Sequence, residues 1–174
     1  MRLFVGLPVP PELARALARL AGSIELPKGR RTLPEDMHLT LVFLGEVDES
    51  ALGPIERELA AVHFAPLRLG IIGLGSFPRA GVLFAEIEPA PALFKLQARV
   101  AEGMQRCGFI RDERPYHPHL TLARFHGRLR LGEERRTLPS SLRAGFRVAT
   151  VNLYRSRLSQ SGASYEVVAQ KRSD

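Results

Sequence analysis

The tetrapeptide HLTL occurs twice in the chain, beginning at His38 and again at His119. Side chains of a β-strand alternate between its two faces, so each histidine shares a face with the threonine two residues later, Thr40 or Thr121. The leucines of the motif then anchor the opposite face in a core. Two such strands facing each other would line one cleft with two imidazoles and two hydroxyls, a set of groups suited to phosphate chemistry without a metal.

The chemistry available to this set is acid–base catalysis. In-line displacement at a phosphodiester by water needs a base for the water and an acid for the departing oxygen, on opposite sides of the phosphorus. Imidazole has a pKa of about 6.5, so both protonation states are accessible at neutral pH. The threonine hydroxyls can donate hydrogen bonds to the non-bridging oxygens, where charge develops. The residues themselves do not say whether His38 or His119 is the acid.

Hydrophobic patterning predicts the elements that must position these side chains. Short apolar runs predict strands, and amphipathic stretches that open on proline or end near glycine predict helices. Besides the two His/Thr strands, we expect strands at residues 2–7, 67–74, 82–88, 146–154 and 165–169, helices at residues 11–21, 48–62 and 91–107, and a basic loop at residues 28–36. Strict alternation along the first His/Thr strand places Leu39, Leu41 and Phe43 in the core.

The chain also carries an internal duplication. The dipeptide Leu-Phe at residues 3–4 precedes His38 by about as many residues as the same dipeptide at residues 83–84 precedes His119. The order strand, helix, His/Thr strand is therefore found twice. We predict one bilobal domain over residues 1–174, with pseudo-repeats at about 1–80 and 81–174. The hairpin-like ending favours antiparallel sheets, and so an α+β fold, over a doubly wound parallel sheet.

Composition sets broad limits on function. The 174 residues are 45% hydrophobic and 25% charged, as in an ordinary globular protein. The net charge of +7, carried mostly by arginine, suits a polyanionic partner such as RNA, although a general preference for arginine would give the same excess. Neither a membrane-spanning run nor a signal peptide is visible in the sequence. Cys107 is the only cysteine, which argues against a disulfide framework and fits a reducing cytoplasm.

The two motifs and their surroundings resemble the 2H phosphoesterase superfamily, and more closely its RNA 2′,3′-cyclic phosphodiesterases, also called 2′-5′ RNA ligases. The likeness runs nearly from end to end, through the stretches RLFV from residue 2, HLTLVFLGEV from residue 38, GSFP from residue 75, PHLTLAR from residue 118 and LYRS from residue 153, ahead of Tyr165. One H-x-T motif would carry little weight, whereas two at pseudo-equivalent places are specific.

This resemblance implies a fold, an activity and roles for the two histidines. The fold would be bilobal, with two antiparallel sheets lining a central cleft and helices outside. The activity would be hydrolysis of RNA 2′,3′-cyclic phosphate ends to 2′-phosphates without a cofactor, with 2′-5′ ligation as its near-reversal. His38 would give a proton to the leaving O3′, and His119 would be the base on water. We expect a cytoplasmic monomer that acts on RNA ends such as those of tRNA fragments, with no membrane association.

Two arginines are candidate substrate-binding residues. The family pattern places an arginine at Arg124, but strict alternation puts it on the face opposite to His119, so it reaches the phosphate only if the strand twists or bulges. Arg155 is the second candidate. His117 and His119 form an H-x-H pair that would suit a metal. Alternate residues of a strand share a face, so the pair supplies only two ligands, and no cysteine or nearby carboxylate completes a set. No metal site is therefore expected.

Three functional classes stay open at this point. The first is the cyclic phosphodiesterase, and the second is a 2H enzyme acting on a different phosphodiester, such as a 2′-5′ oligoadenylate or a cyclic phosphate from tRNA splicing. The third is a non-catalytic RNA-binding module. Intact histidine and threonine in both motifs argue against the third class, because binding alone needs no pair of titratable groups in register. Nothing in the sequence separates the first two.

Overall fold

The apolar runs and amphipathic stretches form strands and helices close to their predicted bounds. A computed structural model describes residues 1–129, 131–132, 137–159 and 162–174. The strands are β1 Arg2–Pro8, β2 Gly29–Arg31, β3 His38–Glu46, β4 Leu67–Leu69, β5 Ile71–Phe77, β6 Val82–Ile87, β7 His119–Phe125, β8 Phe146–Val148, β9 Thr150–Ser159 and β10 Gly162–Arg172. The α-helices are α1 Pro11–Gly22, α2 Leu52–Ala60 and α3 Pro91–Arg106. None of the helices in these ranges has the length and hydrophobicity needed to cross a membrane.

The strands form one long antiparallel sheet that divides into two halves. Its order is β10-β9-β1-β3-β7-β6-β5, with β2 also paired to β7, and β4 and β8 make a separate two-stranded sheet. The central strands β3 and β7 meet at a single residue pair, Leu39 and Leu120. The predicted α+β fold with antiparallel sheets is confirmed, and the two predicted sheets are the two halves of this sheet, joined at that one pair.

The cleft opens because β3 and β7 diverge beyond that pair. Ala123 and Arg124 pair with β6 on one side of β7 and with β2 on the other. Strand β2 therefore occupies the edge of β7 along which β3 would have continued. His38 and Thr40 of β3 and His119 and Thr121 of β7 line the cleft between the two halves.

The halves of the sheet are not the halves of the sequence. The order strand, helix, His/Thr strand occurs as β1, α1 and β3, and again as β6, α3 and β7. A later strand of each unit then pairs with the first strand of the other unit, because β9 pairs with β1 and β5 pairs with β6. The helices also cross over, with α3 packed against β3 and α1 against β7. Each half of the sheet thus depends on both parts of the chain.

The core lies between the sheet and the helices. Leu3, Val5 and Leu7 of β1 are fully buried, and so is Leu17 of α1. The predicted inner face of α3 is buried as expected, at Leu93, Leu96, Val100 and Met104. Each fully buried apolar side chain of this size contributes about 1.5–3 kcal/mol to folding. The sheet is therefore a rigid support for the side chains on its other face.

Two predicted strands are each broken into two. Residues 67–74 form β4 and the first part of β5, and residues 146–154 form β8 and the first half of β9, because the chain passes from the small sheet to the large one at each break. The predicted loop at residues 28–36 instead contains β2 and a 3₁₀ turn, Pro34–Asp36. Helix α2 is shorter than expected and starts after a 3₁₀ turn, with Pro54 in its first turn, where no backbone donor is required.

Candidate active site

Both histidines and both threonines line one cleft between β3 and β7. The cleft has a volume of about 980 Å³ and includes His38, Thr40, His119 and Thr121 among its lining residues. All four side chains are half-buried. The structure thus brings together the four residues that the motif predicts to act on one ligand.

The two imidazoles are held in the same way. Nδ1 of His38 lies 2.8 Å from the backbone oxygen of Asp36, and Nδ1 of His119 lies 2.7 Å from the backbone oxygen of His117. A carbonyl oxygen can only accept, so each Nδ1 carries the hydrogen and donates it. Nε2 of each ring is left to exchange a proton with a ligand. This is the arrangement that acid–base catalysis by two histidines requires.

A phenylalanine from the duplicated Leu-Phe dipeptide lies against each imidazole. The ring centre of Phe4 is 4.4 Å from that of His38, and the ring centre of Phe84 is 5.3 Å from that of His119. Both phenylalanines are buried. The duplicated dipeptide therefore supplies an apolar wall for each histidine.

Burial favours the neutral form of both histidines in the free protein. Burial lowers the pKa of His38 to about 4, against the hydrogen bond to Asp36, and the positive charge of Arg124 adds to the lowering. Burial also lowers the pKa of His119, against the hydrogen bond to the His117 backbone, and the charges of the His117 ring and Arg124 add to the lowering. A proton donor in this cleft consequently needs an anion nearby to keep its proton.

A β-bulge follows each H-x-T motif at the same position. In β3, Thr40 pairs with Gly6 and Val42 with Val5, so Leu41 is skipped. In β7, Thr121 pairs with Phe84 and Ala123 with Leu83, so Leu122 is skipped. A bulge adds one residue and reverses the alternation of faces beyond it. The residue five positions after each histidine therefore joins the cleft face.

This reversal decides the positions of Phe43 and Arg124. Arg124 lines the cleft, which strict alternation alone would not allow. Phe43 also lines the cleft and is 54% exposed, so its predicted place in the core is wrong. The guanidinium carbon of Arg2 lies 5.0 Å from the centre of the Phe43 ring, in cation–π geometry. The two bulged strands thus present an aromatic ring on one side of the cleft and a cation on the other.

Two residues that the motif analysis did not single out hold the bulged part of β3. The Tyr116 hydroxyl donates to the backbone oxygen of Thr40 at 2.9 Å, and Nε2 of Gln97 donates to that of Leu41 at 3.3 Å. Because β3 has already separated from β7 here, these oxygens have no strand partner on that side. Sequence periodicity carries no signal for such contacts, since Tyr116 and Gln97 belong to the other unit of the duplication.

Tyr165 also contributes to the site, whereas Arg155 does not reach it. The Tyr165 ring is perpendicular to that of His38, with centres 4.7 Å apart, and it lines the cleft. Arg155 pairs with Leu3, which points into the core, and its Nη2 lies 3.6 Å from Sδ of Met1. Arg155 is therefore on the face of β9 opposite to the cleft.

The cleft is strongly positive. Among the described residues that line it, the charged side chains are five arginines and two aspartates: Arg30, Arg31, Arg111, Arg114, Arg124, Asp36 and Asp112. The rings of His117 and His119 have centres 6.0 Å apart. In the described ranges, no three His, Cys, Asp or Glu side chains are grouped as they would be around a metal ion. The arrangement suits an anion that exchanges protons with two imidazoles.

Comparison with known proteins identifies the family of this chain. A family model, the 2′-5′ RNA ligase superfamily, matches residues 9–160. The RNA 2′,3′-cyclic phosphodiesterase of Archaeoglobus fulgidus is 34% identical over 128 residues, which is 71% of this chain and 72% of that protein. The enzyme of the same name from Geobacillus stearothermophilus is 33% identical over 95% of this chain, but the match covers only 55% of that longer protein.

The fold of this chain is also similar to that of solved structures. The crystal structure of Escherichia coli LigT complexed with 3′-AMP superposes with a TM-score of 0.86 at 23% identity, covering 99% of this chain and 97% of that one. The family model spans most of the sequence and includes both His/Thr motifs. This chain therefore belongs to the 2′-5′ RNA ligase superfamily, as the motifs indicated.

Proposed function

We propose that this protein hydrolyses the 2′,3′-cyclic phosphate at the end of an RNA to a 2′-phosphate. One observation carries the proposal: two imidazoles, each with Nδ1 bound to a backbone oxygen, share one arginine-lined cleft. The curated relatives described above bear the name of this activity.

In the proposed reaction, Nε2 of His119 takes a proton from water as the water oxygen attacks the phosphorus. The bond between phosphorus and O3′ breaks, and Nε2–H of His38 gives its proton to O3′. The O2′–phosphorus bond survives, so the product is a 2′-phosphate. A correctly placed acid or base contributes on the order of 10²–10⁴-fold to the rate. An RNA 5′-hydroxyl in place of water would give a 2′-5′ linkage by the same proton transfers.

Thr40, Thr121 and Arg124 stabilise the charge in this scheme. As water adds to the cyclic phosphate, negative charge grows on the non-bridging oxygens. Hydroxyl and guanidinium donors fixed in advance around those oxygens stabilise the transition state more than the ground state. Bulging of β7 supports this role for Arg124, because it gives the guanidinium the same face as Thr121.

We further propose that residues 1–174 act as one domain and as a monomer, on RNA ends such as those of tRNA fragments. The exchange of strands between the two units supports a single domain, because neither half of the sheet is complete without both. Light scattering of the purified protein tests the monomer. The single cysteine supports a reducing, cytoplasmic location.

The test is hydrolysis of a short RNA that ends in a 2′,3′-cyclic phosphate, in the presence of EDTA. We expect turnover without added metal and a product with a 2′-phosphate, identified by its resistance to an enzyme that removes only 3′-phosphates. The His38→Ala variant should lose activity. The His126→Ala variant is the matched control, since His126 is exposed and does not line the cleft.

A different experimental result would refute each part of the proposal. No turnover of the cyclic phosphate by the wild-type protein would refute the activity. Loss of turnover in EDTA, restored by a divalent ion, would refute the metal-free mechanism. A 3′-phosphate product would mean that O2′ is the leaving oxygen.

A further inference from the structure

Strand β2 brings a second arginine beside Arg124. Arg30 pairs directly with Arg124 across β2 and β7, and directly opposed residues of an antiparallel pair share a face. Both arginines line the cleft. Gly29 makes this approach possible, because a Cβ atom there would clash with the backbone oxygen of Arg124. The charge pattern of residues 28–36 predicts only a basic loop there and carries no signal for Arg30 in particular.

Like charges directly opposed on neighbouring strands destabilise a sheet. The next residue, Arg31, has a structural use, since it donates to the backbone oxygens of Ala21 at 3.2 Å and Ile24 at 2.8 Å. Arg30 makes no comparable hydrogen bond to the backbone in the described part of the chain. Its guanidinium lies beside the backbone of Gly162 on β10, where an added Cβ would overlap it. It therefore reaches across the cleft from one half of the sheet to the other.

Arg124 and Arg30 act on different titratable groups of the cleft. The positive charge of Arg124 lowers the pKa of both His38 and His119, so Arg124 lies close to the reacting centre. The charge of Arg30 acts instead on Asp36, whose pKa burial raises. In the sheet, Arg124 lies on the same strand as His119, and Arg30 lies on the neighbouring strand β2.

We propose that Arg30, beside Arg124, forms a second phosphate subsite that takes the phosphate on the 5′ side of the terminal nucleotide. This inference rests on the proposed function. A cyclic phosphate is the 3′ end of its strand, so the only neighbouring phosphate is the one attached to O5′ of the same nucleotide. A guanidinium binds phosphate through two parallel hydrogen bonds, and a phosphate beside two arginines also relieves their repulsion.

The opposite end of the cleft is a weaker candidate for this phosphate. Arg114 is exposed there, and its Nη2 already lies 2.6 Å from the Asp112 carboxylate. That carboxylate forms an ion pair with Arg114 and would repel a phosphate, whereas Arg30 forms no ion pair with Asp36 or any other carboxylate among the described residues. The substrate strand is therefore expected to leave the reacting centre past β2.

The test compares adenosine 2′,3′-cyclic phosphate with the same compound carrying a 5′-phosphate. For the wild-type protein we expect kcat/KM to be about 10-fold to 100-fold higher with the 5′-phosphate, because one charge-assisted hydrogen bond changes affinity by a factor of this size. Arg30→Gln should bring this ratio close to one, and Arg30→Lys should keep part of it. Arg157→Gln is the matched control and should keep both the ratio and the activity, because Arg157 is an exposed arginine of β9 that bonds to Glu166.

A binding measurement separates this inference from the proposed activity. Titration calorimetry with adenosine 2′-phosphate and adenosine 2′,5′-bisphosphate should give tighter binding of the bisphosphate by the wild type, and a smaller advantage for Arg30→Gln. If the wild type binds this way but turns over neither cyclic compound, the subsite stands and the proposed function fails. An unchanged ratio in Arg30→Gln, or a ratio that falls in Arg114→Gln instead, would overturn the subsite.

Discussion

The protonation of His38 is the sharpest prediction of the proposed mechanism. As the proton donor, His38 must be protonated when the cyclic phosphate is bound, yet burial lowers its pKa to about 4 in the free protein. Keeping the proton at pH 7 would then cost about 4 kcal/mol, because each pH unit above the pKa adds about 1.4 kcal/mol. The bound ligand has to supply this free energy.

One anionic oxygen is sufficient for this. A negative charge about 4 Å from the imidazolium contributes about 4 kcal/mol at the effective dielectric constant of a partly buried site. The attraction and the cost are therefore similar, and the pKa of His38 should return to the neutral range when a phosphate binds. The same proton then passes to O3′ as the ester bond breaks.

Nuclear magnetic resonance can follow the His38 ring through a pH titration, free and with adenosine 2′-phosphate. We expect the free ring to titrate far below neutral pH, and the complexed ring near it. The His38→Gln variant assigns the resonance. The His126 ring, which is exposed and does not line the cleft, should not respond to the ligand and serves as the control. If the His38 ring stays neutral at pH 7 in the complex, His38 is not the acid.

Three other predictions concern catalysis and stability. His38→Ala and His119→Ala should each reduce kcat on the order of 10²–10⁴-fold, and the double variant should lose less than the product of both losses, because both act on one step; losses that multiply in full, in variants shown to be folded by circular dichroism, would contradict a concerted pair. Tyr116→Phe should lower the free energy of unfolding by about 1 kcal/mol in urea denaturation, because the Thr40 oxygen loses its donor; an unchanged value would mean that water replaces the hydroxyl. The free energy of unfolding should fall as the pH drops from about 6.5 towards 4, because the unfolded chain then binds protons that the two half-buried histidines of the folded protein do not bind; His38→Gln should remove about 3 kcal/mol of this fall, and an equal fall in wild type and variant would contradict the low pKa.

The sequence by itself determined the fold class and which side chains could act as acid and base. Two histidines, each followed by a threonine two residues later, specify acid–base groups with hydroxyl donors, and period-2 alternation already puts each pair on one face of a strand. The burial of Leu93, Leu96 and Val100 likewise follows from helical periodicity. These features are local, because they depend only on residues within one element.

The tertiary structure alone decided what surrounds those pairs. Phe43 and Arg124 face the cleft because bulges at Leu41 and Leu122 reverse the alternation, and each bulge exists only in the pairing with β1 or β6. Arg155 is directed away from the cleft by the register of β9 against β1. Register is a relation between strands far apart in the chain, and a one-residue slip moves every later side chain to the other face, so no pattern within a single strand reveals it.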